Sequence, residues 1–473
     1  MSATATDLVD SLNEAPASRF HSKAIFVSGM GFFTDAYDLF IIGTASALIA
    51  KQWNLNTSQV SLINSMTLLG AFVGAIGYGR LADLVGRKRI YGLEALIMMV
   101  AAIACALSPS FIFLVVFRFI LGLGVGGDYP VSAVLMTEYA NRANRGKMVG
   151  LVFAMQALGT LTGYAAGLAL LSSGVISPDW VWRLLLGFGA IPAAMVLYSR
   201  RRMPESPRYQ LFVEGDESGA ATSLAAFSDG QFAPPVVGRI KPLKLRLSEV
   251  LGDRRTLLLL LGTAGSWFVF DYAYYGNSVS APLIVKTVLG AGATTQQSLA
   301  LNLLIFSVAA VPGYYLAANY MDRIGHRRLQ MVGFVLMGVM FLLIGVIPGV
   351  TTAIAPFLIL FGASYFFAEF GPNTTTFVLA GEVYPTSART TCHGISAGIA
   401  KLGAFIGVYL FPHLTKSFGV SGAMEFSAGM ALIGLLLTTL LPEPAGQTLE
   451  QVSGEAAQLK LGSALAGAEA SLA

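Results

Sequence analysis

The sequence predicts an all-α membrane protein of twelve transmembrane helices, arranged as two pseudo-symmetric six-helix bundles. Three observations carry this. The 473 residues are 55% hydrophobic and only 12% charged, with a mean hydropathy of +0.67, whereas soluble domains carry about 25% charged residues. Apolar runs long enough to cross roughly 30 Å of hydrocarbon recur along the whole chain. Motifs of the first half return in the second at nearly constant offsets.

The runs place spans near 23–50, 58–82, 90–107, 110–138, 147–172, 181–199, 256–285, 295–320, 329–348, 352–380, 391–415 and 422–441. Loops between alternate spans are basic: GRKR at 86–89, NRANRGK at 141–147, RRR at 200–202 and DRIGHRR at 322–328. The opposite loops hold little beyond Lys51, Lys286 and Lys416. Positive loops stay on the cytoplasmic side, so both termini are expected there, in a multi-pass protein of the cell membrane. The polar residues 1–22 lack the basic start and apolar core of a cleaved signal and read as a cytosolic tail. The expected organisation is therefore a bundle at 23–200, a cytosolic central loop at 201–255, a second bundle at 256–442 and a cytosolic tail at 443–473. The central loop, with Pro-rich QFAPPVVG, is too short and irregular for a catalytic domain; short helices around a flexible linker are expected.

The repeats sharpen the two-bundle reading. GRLADLVGRKR at 79–89 matches AANYMDRIGHRR at 317–328, aligning Asp83 with Asp322. TEYANRANRG at 137–146 matches GEVYPTSART at 381–390. A glutamate precedes an arginine by seven residues in both, Glu138 to Arg145 and Glu382 to Arg389. RMPESP at 202–207 matches LLPEPA at 440–445. Near-equal offsets imply duplicated halves. Asp83 and Asp322 follow helix ends, where nearby arginines are expected to pair with them and tie helices together in one conformation and not the other.

Acids inside the spans point to function. Asp35 and Asp38 lie in GFFTDAYDLFIIG, Asp128 in GLGVGGDYPVSA and Asp271 in GSWFVFDYAYYGN. A charged acid at mid-bilayer costs about 2.5–3.5 kcal/mol on insertion scales, so such residues line paths, carry protons or meet cations. Asp35 and Asp38 share a helix face at i, i+3. Arg118 lies ten residues before Asp128, about 15 Å along a regular helix. It cannot pair with Asp128, but Asp35 or Asp38 could meet it, either as a static ion pair or as part of a proton relay. Trp267, Asp271 and Tyr275 form a stripe at i, i+4, i+8, the pattern of a cavity wall or of aromatic packing. Gly371 and Pro372, in GPNTTTF, should loosen a helix and turn Asn373 inward. Lys401, in SAGIAKLGAF, lies too deep to snorkel and needs an anionic partner from protein or substrate.

Other patterns are set aside. Gly122, Gly124 and Gly127 spell GxGxxG, but no strand precedes them, and small residues there suit close helix approach. No P-loop motif occurs. Cys105 and Cys392 give no disulfide framework, and His21, His326, His393 and His413 are scattered. No metal, cofactor or nucleic-acid partner is expected.

The repeats resemble the major facilitator superfamily. Within it, GGDYPVSA with downstream TEYA, WFVFDYAYYGN, GPNTTTF and AKLGA are together similar to motifs of its phosphate:proton symporters. The resemblance implies the major facilitator fold, a lipid-embedded symporter of inorganic phosphate and protons rather than a reaction-catalysing enzyme, and arsenate as a competitor. It implies a phosphate site of Tyr129, Gln156, Trp267, Asp271, Tyr275, Asn373 and Lys401. It implies proton-coupling roles for Asp35, Asp38, Arg118 and Asp128, joined by Asp271, with Glu94 of YGLEAL a further acid. Gating roles then fall to Asp83, Glu138, Arg145, Asp322, Glu382 and Arg389. One departure is Glu369, in FFAEFGPN, where that family usually has an amide; an acid there changes the pH dependence, repels the anion or pairs locally. The alternatives are a proton-coupled sugar or organic-acid porter of the same fold, or a phosphate-binding membrane sensor. Lys401 argues against neutral sugars, and the small polar segments argue against a sensor.

Overall fold

The apolar runs form long helices because Leu, Ala, Ile and Val repeat without polar breaks and the backbone must satisfy itself inside lipid. The computed structural model describes residues 5–228, 247–290 and 292–456, with side chains from residue 8 onward. Among these, eleven helices are long and apolar enough to cross a membrane. They are α1 (Arg19–Trp53), α2 (Thr57–Val85), α3 (Arg87–Ala106), α4 (Phe111–Tyr139), α5 (Arg145–Ser172), α6 (Pro178–Arg201), α7 (Arg254–Val279), α8 (Thr295–Ile324), α9 (His326–Val346), α10 (Ile354–Glu382) and the 50-residue Arg389–Thr438. The last is broken at Gly419, whose φ of 70° is open to glycine at little cost. The break divides it into α11 (389–418) and α12 (420–438), so the chain crosses twelve times. The outward faces carry exposed aliphatic residues such as Ile112, Met195, Ile359 and Leu436, as a lipid-facing surface requires.

The halves meet along two equivalent seams. α2 lies against α11, and α5 against α8. Glycine makes the first seam close: a side chain on Gly79 would strike Gly394, and one on Gly394 would strike Ala75. Gly122 serves α2 and α4 in the same way, where a methyl group would overlap the Thr67 carbonyl.

The described parts of the polar segments hold short helices. Helix Ala5–Glu14 packs Leu8, Val9 and Leu12 onto Leu211, Phe212 and Leu224 of the central segment. Short helices Glu217–Phe227 and Leu247–Gly252 follow within the central segment. QFAPPVVG lies outside the described residues, as do the residues beyond 456. Arg208 ties three segments together, donating to Glu450 at 2.8 Å, to Asn13 at 2.9 Å and to the Glu138 carbonyl. Burial alone would raise the Glu450 carboxyl, but Arg208 holds it at about 2. A depressed acid stabilises above its free value of about 4.3. That contribution is lost as pH falls toward 2.

Candidate functional site

Two polar layers cross the boundary between the halves. One lies at the basic-loop end and the other deep in the spans.

The basic-end layer is built from the repeated motifs, exchanged between copies. Glu138 accepts from Arg389 at 3.0 Å and from Arg87 at 3.4 Å. Arg145 donates to Glu382 at 2.6 Å, and His326 Nδ1 lies 2.7 Å from the same carboxylate. The glutamate and arginine of one motif therefore pair with those of the other, not with each other. Asp83 pairs with Arg87 at 3.0 Å and also accepts from the Thr391 amide and hydroxyl at 2.6 and 2.7 Å. Asp322 differs from the expected arginine pairing. It accepts from the Gly146 and Lys147 amides at 2.9 and 2.8 Å and from His326 Nε2 at 3.1 Å. The free amides at the start of α5 draw it there, as a helix N-terminus attracts an anion. Each aspartate thus caps a helix of the opposite half.

The deep layer holds the site residues expected from sequence. Lys401 of α11 donates to Asp271 of α7 at 3.0 Å and to Tyr275 at 3.1 Å. Its ammonium sits 4.4 Å from the ring centres of both Tyr129 and Tyr275, positions that favour a cation. Trp267 packs its ring 6.1 Å from Tyr129. From Tyr129 a chain of hydrogen bonds crosses the protein. Tyr129 donates to Asp35 at 2.6 Å, and Gln156 reaches Asp35 at 3.2 Å and the Tyr129 hydroxyl at 2.9 Å. Tyr314 of α8 donates to Gln156 at 3.2 Å, and Asn373 of α10 donates to Tyr314 at 2.8 Å and to Glu369 at 2.6 Å. All seven expected substrate residues are buried, so this arrangement is closed on both sides.

Two expected proton-path residues sit otherwise. Arg118 donates to the Asp38 backbone carbonyl at 3.5 Å and reaches neither carboxylate. Its Nε and Nη2 have no hydrogen-bond partner. Asp128 is held from α6: Arg200 grips both its oxygens at 2.7 and 2.9 Å and donates to Glu94 at 2.8 Å. Ser132 adds a bond to Asp128 at 2.6 Å. Arg200 reads in sequence as one of a basic run, so its inward turn went unseen, as did Tyr314 within an ordinary apolar stretch. Removing the cation from a buried cluster leaves uncompensated charge costing about 3–5 kcal/mol. Arg200→Gln is therefore expected to lower the thermal stability of the purified protein markedly, and Arg200→Lys to lower it less. Equal, small losses in both melting curves would mean that the cluster contributes little.

The family description "Sugar (and other) transporter" matches residues 23–455. The chain belongs to this family. With it comes the major facilitator superfamily, whose fold the two six-helix halves reproduce. This family member is 34% identical to "Probable inorganic phosphate transporter 1-6" of Arabidopsis thaliana, over 95% of its own length and 96% of that protein. It is 36% identical to "Low affinity inorganic phosphate transporter 8" of Medicago truncatula, over 96% and 94%. Among solved structures, the proton:xylose symporter XylE bound to 6-bromo-6-deoxy-D-glucose superposes with a TM-score of 0.76 at 18% identity, covering 93% of this chain and 99% of that one. At that identity the likeness establishes the fold alone.

Proposed function

We propose that this chain is a secondary active transporter that carries inorganic phosphate with protons across the cell membrane by alternating access. The observation that carries the reading is the buried Lys401–Asp271 pair between Tyr129 and Tyr275. The naming of the relatives as inorganic phosphate transporters supports the choice of anion.

The pair gives a route to coupling. With Asp271 ionised, Lys401 is already neutralised. A phosphate must take that carboxylate's place at the ammonium. A proton on Asp271 frees Lys401, so proton and anion each favour the other's binding, by the same factor in both directions. The phenols of Tyr129 and Tyr275, with Gln156, Trp267 and Asn373, supply hydrogen bonds around the anion. Asp35, Asp38, Arg118 and Asp128 form the proton path. Moving an anion inward against the potential costs about 2.3 kcal/mol per charge per 100 mV. Protons in excess of the negative charge reverse that sign. No covalent bond changes, so this is not a reaction-catalysing enzyme.

In this reading the basic loops and both termini face the cytoplasm. Residues 23–200 and 256–442 rock as two bundles, with 201–255 joining them and 1–22 and 443–473 flanking them. The exchanged ion pairs close the cytoplasmic side. The test is uptake of radiolabelled phosphate into proteoliposomes under an imposed proton gradient. Uphill accumulation that stops when the gradient collapses is expected. Uptake indifferent to the gradient would remove the coupling, and absent uptake would remove the substrate.

Selectivity follows from the acid in the site. Near neutral pH phosphate keeps a proton to donate to the carbonyl oxygen of a protonated acid such as Asp271, and sulfate keeps none. Sites built on such a bond reject the analogue lacking it by orders of magnitude. Arsenate is expected to inhibit uptake and sulfate hardly at all. Equal inhibition at matched concentration would show that no carboxyl group reads the anion.

A further inference from the structure

The other buried acids described above lie beside cations: Asp271 with Lys401, Asp128 and Glu94 with Arg200, Asp83 and Glu138 with Arg87, Glu382 with Arg145. Among the described residues of the spans, Asp35, Asp38 and Glu369 are buried without any cation within ion-pair distance. Glu369 is the one of these outside the amino-terminal half. It is closed off from solvent, and every group that faces it is neutral. Asn373 of its own helix donates to it at 2.6 Å. The phenols of Tyr274 on α7 and Tyr314 on α8 lie beside it, and a side chain on Gly313 of α8 would strike its Cβ.

Its place in the backbone is equally specific. Glu369 opens a wide π turn, Glu369–Asn373, inside α10. Gly371 leaves helical geometry there at φ −122° and ψ −108°, next to Pro372. The Glu369 carbonyl accepts from the Thr374 hydroxyl at 2.8 Å. Gly371 and Gly333 let α9 and α10 touch backbone to backbone at this point. Such breaks concentrate at functional hinges. The acid thus sits where α10 can bend. It also terminates the hydrogen-bond chain Asp35–Tyr129–Gln156–Tyr314–Asn373–Glu369, which has at each end a carboxyl that forms no direct ion pair.

We propose that Glu369 is a second proton-binding site of the transport cycle, located in the carboxy-terminal half. An ionised carboxylate shut away from water and cations costs several kcal/mol. The acid therefore holds a proton in this closed arrangement. The carboxylate takes that proton from water on the side of higher proton concentration and returns it to water on the other side when α10 bends and the cavity opens. Each cycle then moves one proton more than Asp271 and the amino-terminal path account for. The inference rests on the phosphate reading above, and the test separates the two.

Infrared spectra of the purified full-length protein, titrated in pH without phosphate, should contain a protonated-carboxyl band that Glu369→Gln removes. Reversal potentials with inorganic phosphate in proteoliposomes read the proton-to-phosphate ratio at zero net flux, so a slow variant still reports it. The ratio should fall by a whole proton in Glu369→Gln and hold in Glu369→Asp. An unchanged ratio in Glu369→Gln overturns the inference. Should Glu369→Gln not fold, Glu369→Asp carries the test: the band moves if Glu369 is its source, and an unmoved band overturns the inference. A wild-type protein with the titrating band but no phosphate-dependent potential counts against phosphate as substrate, while the band supports the proton site.

Discussion

Lys401→Ala is expected to weaken phosphate binding roughly 10- to 150-fold, the equivalent of a charge-assisted hydrogen bond of about 1.5–3 kcal/mol. Calorimetric titration of the purified protein reads this directly. The structure adds a complication. Asp271 accepts its bond from Lys401 inside a closed site, so the single variant also strands a buried carboxylate, at about 3–5 kcal/mol. The double variant Lys401→Ala, Asp271→Asn removes both charges together. It should recover much of the lost thermal stability while phosphate binding stays weak. Asp271→Asn alone should bind phosphate with only the pH dependence of the anion's own titration and fail to accumulate it uphill. Full affinity in Lys401→Ala would show that another group holds the anion. Proton-driven accumulation in Asp271→Asn would sink the exchange of Lys401 partners as the coupling step.

The second large effect is expected at the basic end. Glu138 and Glu382 each hold an arginine of the opposite half, and Glu382 holds His326 as well. Neutralising both, with Glu138→Gln and Glu382→Gln, strands buried cations in the closed form, where they cost most. Opening that end lets water reach them. A shift of about 5.5 kcal/mol carries an equilibrium from 1:99 to 99:1. Two buried pairs at about 3–5 kcal/mol each supply that scale. The double variant should therefore rest with the basic end open. Spin labels on cysteines at Lys88 and Arg328, both exposed and in different halves, would report a longer distance. An unchanged distance distribution would assign the closure to helix packing instead.

What the sequence made legible follows from what spacing along a chain can carry. Spans, halves and the repeats were readable because apolar length and motif offsets are local or periodic quantities. Candidate site residues were readable where an odd residue stood in an apolar run, as with Asp271 and Lys401. Partner choice was not. Whether Arg118 reaches Asp38's carboxylate or its carbonyl depends on how α4 crosses α1. Arg200 lies in the last turn of α6 in a run of three arginines, and only the packing of that helix decides that it turns inward to Asp128 while its neighbours Arg201 and Arg202 stay exposed. Tyr314 has no odd neighbourhood at all, and its value lies in standing between Gln156 and Asn373. Asp322 could be expected to seek an arginine, yet two free amides at a helix start serve it as well.

The exchange of partners between motif copies has a wider consequence. Glu138 with Arg389, and Arg145 with Glu382, is the reciprocal pattern of a two-fold interface, in which the first residue meets the second of its mate and the second meets the first. The fused chain therefore keeps the contact geometry of a self-complementary dimer. Neither motif pairs its own glutamate with its own arginine, so a substitution in one copy strands a residue 237 or 251 positions away in the other. Drift in the two copies is tethered by electrostatics even where the surrounding sequence has lost its likeness.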